Sequence, residues 1–134
     1  MEESVQEPMW MEVADAIIAH DLELAAHGGS AGLRDAGLLD SALARPKNIW
    51  AYAESAPSLS VLAAAYAFGI SSNHPFVDGN KRTALLVSFV FLDVNGSEVI
   101  ASQEDAFITI LGLAAGEISE DQLAQWFQRN TTAR

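Results

Sequence analysis

The sequence of 134 residues contains no cysteine, and it has only seven lysines and arginines compared with eighteen aspartates and glutamates. The absence of cysteine excludes disulfides and thiolate metal sites, and it is typical of a protein in a reducing cytoplasm. The formal net charge of −11 argues against direct binding of nucleic acid. Contact with a phosphate backbone requires positive charge spread over a surface, and this chain has too few cations for that.

Long apolar runs are also absent. No apolar segment reaches the ~20 residues that a membrane-spanning helix needs, and Glu2 and Glu3 stand where a signal peptide would carry basic residues. We therefore expect a soluble, cytoplasmic protein with no membrane association. The length predicts one domain over residues 1–134. Half of the residues are hydrophobic, so a core can form and only the ends at 1–6 and 130–134 are expected to be flexible.

Apolar residues recur at three- and four-residue intervals along the chain, which predicts an all-α fold of about six helices. The first helix is expected from about Pro8 to His27. A segment from Asn80 to about Val94 is apolar nearly all round and is too long for a strand, so it predicts a buried central helix. Candidate N-caps of other helices are Asp35, Ser58, Ser102 and Ser119.

The segment at residues 48–52 is aromatic, and Pro46 before it is expected to bend or end the second helix. We expect an extended or irregular conformation there. The segment is either a loop with its rings against the core or a partly exposed edge that holds a partner peptide by main-chain pairing. The sequence by itself favours the loop. The five residues of the segment are Asn48, Ile49, Trp50, Ala51 and Tyr52.

The segment at residues 74–82, here called the motif loop, places a base, an acid, a glycine and two adjacent cations directly before the central helix. The first N–H groups of a helix and its dipole favour an anion. His74 can take a proton from an attacking hydroxyl near neutral pH. Phe76 is expected to anchor the loop in the core. The pattern indicates a phosphate site with a histidine beside it.

Five further residues of the motif loop have chemistry that fits a nucleotide. Asp78 can hold Mg²⁺, which bridges nucleotide phosphates. Gly79 allows the backbone to approach a ligand, and Asn80 can bond a phosphate oxygen or orient its neighbours. Arg82 offers a planar fork for phosphate, whereas Lys81 offers a point charge.

A structural interpretation of the motif loop stays open from the residues alone. His74 could be a hydrogen-bonded loop histidine, and Asp78 could cap the helix that follows. His20 and His27 are expected to have structural or solvent roles. The sequence does not favour a zinc site, because its three histidines are scattered along the chain.

The motif loop, His74-Pro75-Phe76-Val77-Asp78-Gly79-Asn80-Lys81-Arg82, resembles the Fic motif HxFx(D/E)GN(G/K)R at every fixed position. The resemblance to the Doc (death-on-curing) branch of the Fic/Doc family extends from about Gly28 to Phe127. It implies an all-α bundle around a buried helix and a toxin of a bacterial type II toxin–antitoxin pair. Fic proteins usually transfer AMP from ATP to a target hydroxyl. Doc proteins instead transfer the γ-phosphate of ATP to a threonine of elongation factor Tu, which stops translation.

The resemblance also implies a role for each motif residue. His74 would be the general base and Asp78 the ligand of Mg²⁺, with Lys81 and Arg82 completing the catalytic set. The residues that hold the phosphates of ATP would be Gly79, Asn80, Lys81 and Arg82. Residues 48–52 would correspond to the flap that aligns the target peptide.

Departures from the Fic pattern favour the kinase over the AMP transferase. Lys81 stands where AMP-transferring members usually have glycine, and Leu85 stands where they often have a second arginine. Doc-type chains can have alanine at the position of Gly79 and a polar residue at that of Leu86, so the site mixes features. The alternatives are an AMP transferase of the same fold and a non-catalytic binding or regulatory protein.

An inhibitory (S/T)xxxE(G/N) motif, which many Fic proteins carry, is absent from this sequence. Restraint of the toxin must then come from elsewhere. We expect a separate, Phd-like antitoxin with a disordered tail that folds against this domain.

Overall fold

The computed structural model describes residues 6–134, which form six helices and one small antiparallel sheet. The elements are α1 (Val13–His27), α2 (Ala36–Tyr52), α3 (Leu59–Asn73), α4 (Asn80–Val94), β1 (Ser97–Val99), α5 (Gln103–Ala114), α6 (Glu120–Arg129) and β2 (Thr131–Ala133). The expected all-α bundle of about six helices is confirmed. Within this part of the chain, no helix has the length and apolar character needed to cross a membrane.

Helices α3 and α4 form the centre of the bundle. α3 packs against α2, α4, α5 and α6, and α4 packs against α1, α3, α5 and β1. α3 is the more completely buried of the two, because its small residues Ala63, Ala64 and Ala67 allow neighbouring helices to approach closely. The motif loop connects these two helices. It is therefore fixed at both ends by the most buried part of the fold.

Helix α2 continues through Pro46 to Tyr52, so the expectation of an extended or irregular segment at residues 48–52 is wrong. Pro46 is itself buried and continues the apolar stripe that begins at Leu39. Its missing N–H costs one helical hydrogen bond, but packing of this stripe against the core outweighs that loss. Because the backbone of the segment is helical, it cannot pair with a peptide as a strand edge.

Helix α1 begins at Val13, five residues later than the predicted start at Pro8. The residues before it run along the end of α4 instead. The side chain of Asn95 accepts from the Met9 N–H at 2.8 Å and donates to the Met9 carbonyl at 3.0 Å. Trp10 stacks on Phe91, with ring centroids 6.1 Å apart. A helix that started at Pro8 would lose these contacts. They therefore keep the segment before Val13 out of the helix.

The carboxyl-terminal residues form β2, which corrects the expected flexible end at 130–134. Thr131, Thr132 and Ala133 pair with β1 in antiparallel register. The Arg134 N–H donates to the Gly96 carbonyl at 3.0 Å. Of the other predicted flexible end, residues 1–5 lie outside the described part of the chain.

Tyr66 of α3 is a buried phenol that ties the amino-terminal segment to the core. Its hydroxyl accepts a hydrogen bond from the Met11 N–H at 2.8 Å. Burial raises the pKa of Tyr66 from 10.0 to about 12, the hydrogen bond from Met11 opposes the increase, and the charges of Glu12 and Asp15 add to it. The unfolded chain therefore ionises this phenol at a lower pH than the folded protein does.

The free energy of unfolding is expected to fall between pH 10 and pH 12 because of Tyr66. The raised pKa stabilises the fold below pH 10, and about 2–3 kcal/mol of that contribution is lost as pH approaches 12. Urea titrations at several pH values in this range measure the loss, and Tyr66→Phe should flatten the slope. Equal slopes for the two proteins would contradict the assignment to Tyr66.

Candidate active site

His74 ends α3 in the left-handed conformation and presents its side chain to solvent. It is the one non-glycine residue of 6–134 with a positive φ, at 50°. Its N–H donates to the Ile70 carbonyl at 3.2 Å, which closes the last turn of the helix. His74 is exposed and lines the same cleft as Asp78 and Arg82, so its side chain does not pack in the core.

Asn80 clamps the motif loop from inside. Its side-chain amide accepts from the Phe76 N–H at 2.9 Å and donates to the Phe76 carbonyl at 3.0 Å. Phe76 is 2% exposed and stacks on His20, with ring centroids 4.0 Å apart. Phe76 therefore anchors the loop as the sequence predicts. Of the two roles considered for the Asn80 amide, orienting its neighbours is the one with observed partners.

Asp78 projects its carboxylate into solvent at the top of the loop. One oxygen accepts from the Ser30 N–H at 3.1 Å and the other from the Gly79 N–H at 2.9 Å. The Asp78 carbonyl lies 2.8 Å from His20 Nε2, an arrangement in which that nitrogen donates. Gly29 has a φ of 122°, and a Cβ there would lie 2.8 Å from Asp78 Oδ2, so glycine suits this position on both grounds.

The carboxylate of Asp78 fits a magnesium ion that is shared with a phosphate ligand. Each oxygen accepts one N–H and keeps a lone-pair direction for a cation. Residues 6–134 contain no cluster of three or more histidine, aspartate or glutamate side chains that could hold a metal unaided. Mg²⁺ is commonly held by one or two carboxylates together with substrate phosphates and water, so a single carboxylate suffices only when phosphate is present.

Helix α4 begins directly beside these side chains. Gly79 is its N-cap at φ 76°, a left-handed conformation that favours glycine. The first helical hydrogen bond runs from the Thr83 N–H to the Gly79 carbonyl at 3.0 Å. The N–H groups of Asn80, Lys81 and Arg82 therefore precede the helical ladder, and the positive end of the helix dipole adds to their attraction for an anion.

Arg82 is held at the side of this anion site. Its guanidinium lies over the Phe107 ring of α5, 4.0 Å from the centroid. Arg82 Nη1 lies 3.4 Å from His27 Nε2, which is also 3.4 Å from a carboxylate oxygen of Glu23. A neutral His27 can accept from Arg82, whereas a protonated His27 can donate to Glu23. The neighbours of Arg82 thus keep the guanidinium in a defined place.

The six predicted site residues of the motif loop surround one cleft of about 340 Å³. Sequence reasoning did not assign its other lining residues to the site, and they come from α1, the loop after it, the motif loop and α5. The complete lining is His27, Gly28, His74, Val77, Asp78, Gly79, Asn80, Lys81, Arg82, Phe107 and Leu111. The cleft therefore combines a base, a carboxylate, two cations and a helix N-terminus. Such a set can hold phosphates and deprotonate a hydroxyl nearby.

The predicted flap residues lie elsewhere. Asn48, Ile49 and Tyr52 line a second groove, of about 460 Å³, between α2 and α3, which reaches Asn73 next to His74. Trp50 turns away from that groove and packs edge-on against Trp10 with ring centroids 6.2 Å apart. Ala51 is exposed. The structure thus separates these residues from the cleft.

The loop at residues 28–35 supports the motif loop, and the sequence reasoning did not foresee this. Ser30 reaches Asp78 through its N–H, and Arg34 donates to the carbonyls of Asn73 and His74. The run of glycines at 28, 29 and 32 was the available signal, since glycine often marks close approach of two backbones.

Comparison with known proteins identifies the family. A sequence profile described as the Fic/DOC family matches residues 10–92, more than half of the chain. Protein kinase doc of Escherichia phage P1 is 36% identical over 115 residues, which cover 86% of this chain and 90% of that protein. Toxin Doc of Mycolicibacterium smegmatis is 43% identical over 76 residues, which cover 57% of this chain and 58% of that protein. The motif loop lies within the matched profile, and the chain belongs to the Fic/Doc family.

Proposed function

We propose that this protein is a Doc-like toxin that transfers the γ-phosphate of ATP to a threonine hydroxyl of elongation factor Tu. The observation that carries the proposal is the convergence of His74, Asp78 and the first turn of α4 on one cleft. The similarity to a phage protein named as a protein kinase and to a protein named as a toxin supports it.

Different residues of the cleft have different roles in phosphate transfer. The N–H groups at the start of α4, with Lys81 and Arg82, hold the phosphate oxygens and offset their negative charge. Asp78 would hold Mg²⁺, which would offset the negative charge of the phosphates. His74 accepts the proton of the threonine hydroxyl as that oxygen bonds to phosphorus, and ADP leaves with the electrons of the broken P–O bond.

Two features of α4 favour the kinase over an AMP transferase. Lys81 places a side chain at the edge of the cleft where a glycine would let an inner phosphate approach the backbone. Leu85, one turn further on, lines a neighbouring groove with Leu86 and Phe89. No second cation of α4 therefore follows Arg82 to clamp another phosphate, and AMP transfer remains the second candidate.

The other partners follow from this function. A separate Phd-like antitoxin with a disordered tail would restrain the toxin, since no inhibitory motif occurs in the chain. The net charge of −11 argues that any effect on an operator passes through that antitoxin. Residues 48–52 would contact the target through the side chains of Asn48, Ile49 and Tyr52 rather than by main-chain pairing.

Mass spectrometry of elongation factor Tu after incubation with this protein, ATP and Mg²⁺ tests the proposal. We expect one phosphate on a threonine and no adduct when Mg²⁺ is chelated. Asp78→Asn should raise the Mg²⁺ concentration needed for half-maximal transfer. An AMP adduct would reject the kinase in favour of the transferase, and an unmodified target would reject both.

A further inference from the structure

Arg34 lies outside the motif loop but makes two hydrogen bonds to the turn that carries His74. Its Nε donates to the His74 carbonyl at 2.7 Å and its Nη2 donates to the Asn73 carbonyl at 2.8 Å. These carbonyls are the last of α3 and lack helical partners. A guanidinium bonded to them is favoured by the helix dipole, and its planar fork fixes both peptide groups at once.

The backbone around Arg34 continues this support. The N–H groups of Arg34 and Asp35 both donate to the Pro75 carbonyl, at 2.7 and 3.0 Å. The Val77 N–H donates to the Gly32 carbonyl at 3.0 Å, and Leu33 forms an antiparallel bridge with Phe76. Residues 32–35 thus run alongside residues 75–77, and the Arg34 side chain extends the contact to His74.

His74 needs such support because its backbone is left-handed. This conformation is less favourable for a residue with a Cβ than for glycine, and surrounding contacts help to hold it. The N–H of His74 is bonded within α3, but its carbonyl is bonded to Arg34. The direction of the imidazole follows the backbone of this turn, and the guanidinium is one of the groups bonded to that backbone.

We propose that Arg34 is a positioning residue for His74, which sets the direction of the catalytic imidazole through the backbone of the turn. The catalytic part of this inference rests on the proposed function. Arg34 acts at the backbone and does not line the cleft that contains Asp78 and Arg82. Its loss should therefore lower the rate of proton removal and leave nucleotide binding intact.

The fold has other contacts that hold α2 to α3 when Arg34 is replaced. The Asn73 side chain donates to the Leu38 carbonyl at 3.0 Å, which joins α3 to α2, and the Asp35 side chain caps α2 by accepting from the Leu38 N–H at 3.0 Å. Variants of the exposed Arg34 are therefore expected to fold.

The test compares Arg34→Ala and Arg34→Lys with the wild-type protein in the phosphate-transfer assay. We expect kcat of Arg34→Ala to fall by about 10- to 100-fold, since a misplacement of about 1 Å can cost that much, with KM for ATP nearly unchanged. Lysine cannot fork to two carbonyls, so it should recover only part of the loss. Added guanidinium should raise kcat of Arg34→Ala but not of the wild type. Arg129→Ala, which removes an exposed guanidinium from the last turn of α6, controls for charge.

A second readout does not depend on activity. The Cα and Cβ chemical shifts of His74 report its left-handed backbone, and we expect them to move in Arg34→Ala and to stay unchanged in Arg129→Ala. Unchanged shifts with unchanged kcat would overturn the proposal, as would equal losses of kcat, ATP affinity and thermal stability with no rescue. If the wild-type protein transfers no phosphate, the proposed function fails, and the shifts alone decide whether Arg34 holds the turn.

Discussion

Replacing His74 by alanine is expected to lower phosphate transfer by about 10²- to 10⁴-fold, the range in which general-base catalysis contributes. The substitution removes the proposed proton acceptor at the mouth of the cleft and leaves the proposed phosphate-binding groups of α4 in place. ATP affinity should therefore stay near the wild-type value. Because the side chain is exposed, thermal stability should also change little. Single-turnover transfer to elongation factor Tu and calorimetric titration of ATP measure the two effects separately.

Ser72→Ala provides a control for this experiment, since it changes an exposed residue in the last turn of α3 and leaves the cleft intact. It should keep the activity and toxicity of the wild-type protein. A His74→Ala protein that stays toxic in cells and transfers phosphate at the wild-type rate would contradict the assignment of the base. Full toxicity without any transfer by either protein would favour the non-catalytic binding protein.

Replacing Asn80 by alanine is expected to lower the free energy of unfolding by about 2–4 kcal/mol even without nucleotide. The substitution leaves the N–H and the carbonyl of the buried Phe76 without partners, and each unsatisfied group costs about 1–3 kcal/mol. Equilibrium unfolding in urea measures the change. Activity should fall as well, because the motif loop loses its internal clamp.

Lys81→Ala is the matched control, because it changes the next residue and removes an exposed cation. It should alter stability by no more than about 0.5 kcal/mol while weakening ATP binding. If Asn80→Ala lowered ATP affinity but not the stability of the free protein, the Asn80 amide would be a phosphate ligand rather than a clamp.

The parts of the fold that the sequence predicts well are those with dense local signals. Helix α4 begins at Asn80 and ends at Val94 as predicted, because a long apolar run meets Asn95-Gly96 at its end. Ser119 is the N-cap of α6 as predicted, and it forms a capping box with Gln122. In each case the residues that decide the boundary lie within a few positions of it.

The errors come from contacts between distant segments. The sequence predicts that Pro46 bends or ends α2, but Pro46 stands four residues after Ala42 on the buried stripe of that helix. Strand β2 exists because Thr131 to Ala133 find a partner in β1, more than thirty positions away. Local propensity does not contain either fact, since tertiary packing decides both.

In the candidate site too, the sequence predicts the locally encoded part and misses the contacts from distant segments. Residue types and spacing predict the motif loop as the site, and seven of its nine residues line one cleft. Its supports were not identified, because Ser30, Arg34 and His20 act from α1 and the loop after it. Two of those three bonds are made to backbone carbonyls of the motif loop. Every residue has a backbone carbonyl, so the residue types of the motif do not reveal which carbonyls are bonded.

The central claim is that the phosphates of ATP bind at the start of α4 beside His74. Backbone amide chemical shifts, recorded while a non-hydrolysable ATP analogue and Mg²⁺ are added, test it most directly. We expect the largest changes at Asn80, Lys81 and Arg82, with smaller ones at Ser30 and His74. Changes confined to the groove between α2 and α3, or no saturable change at α4, would contradict the account.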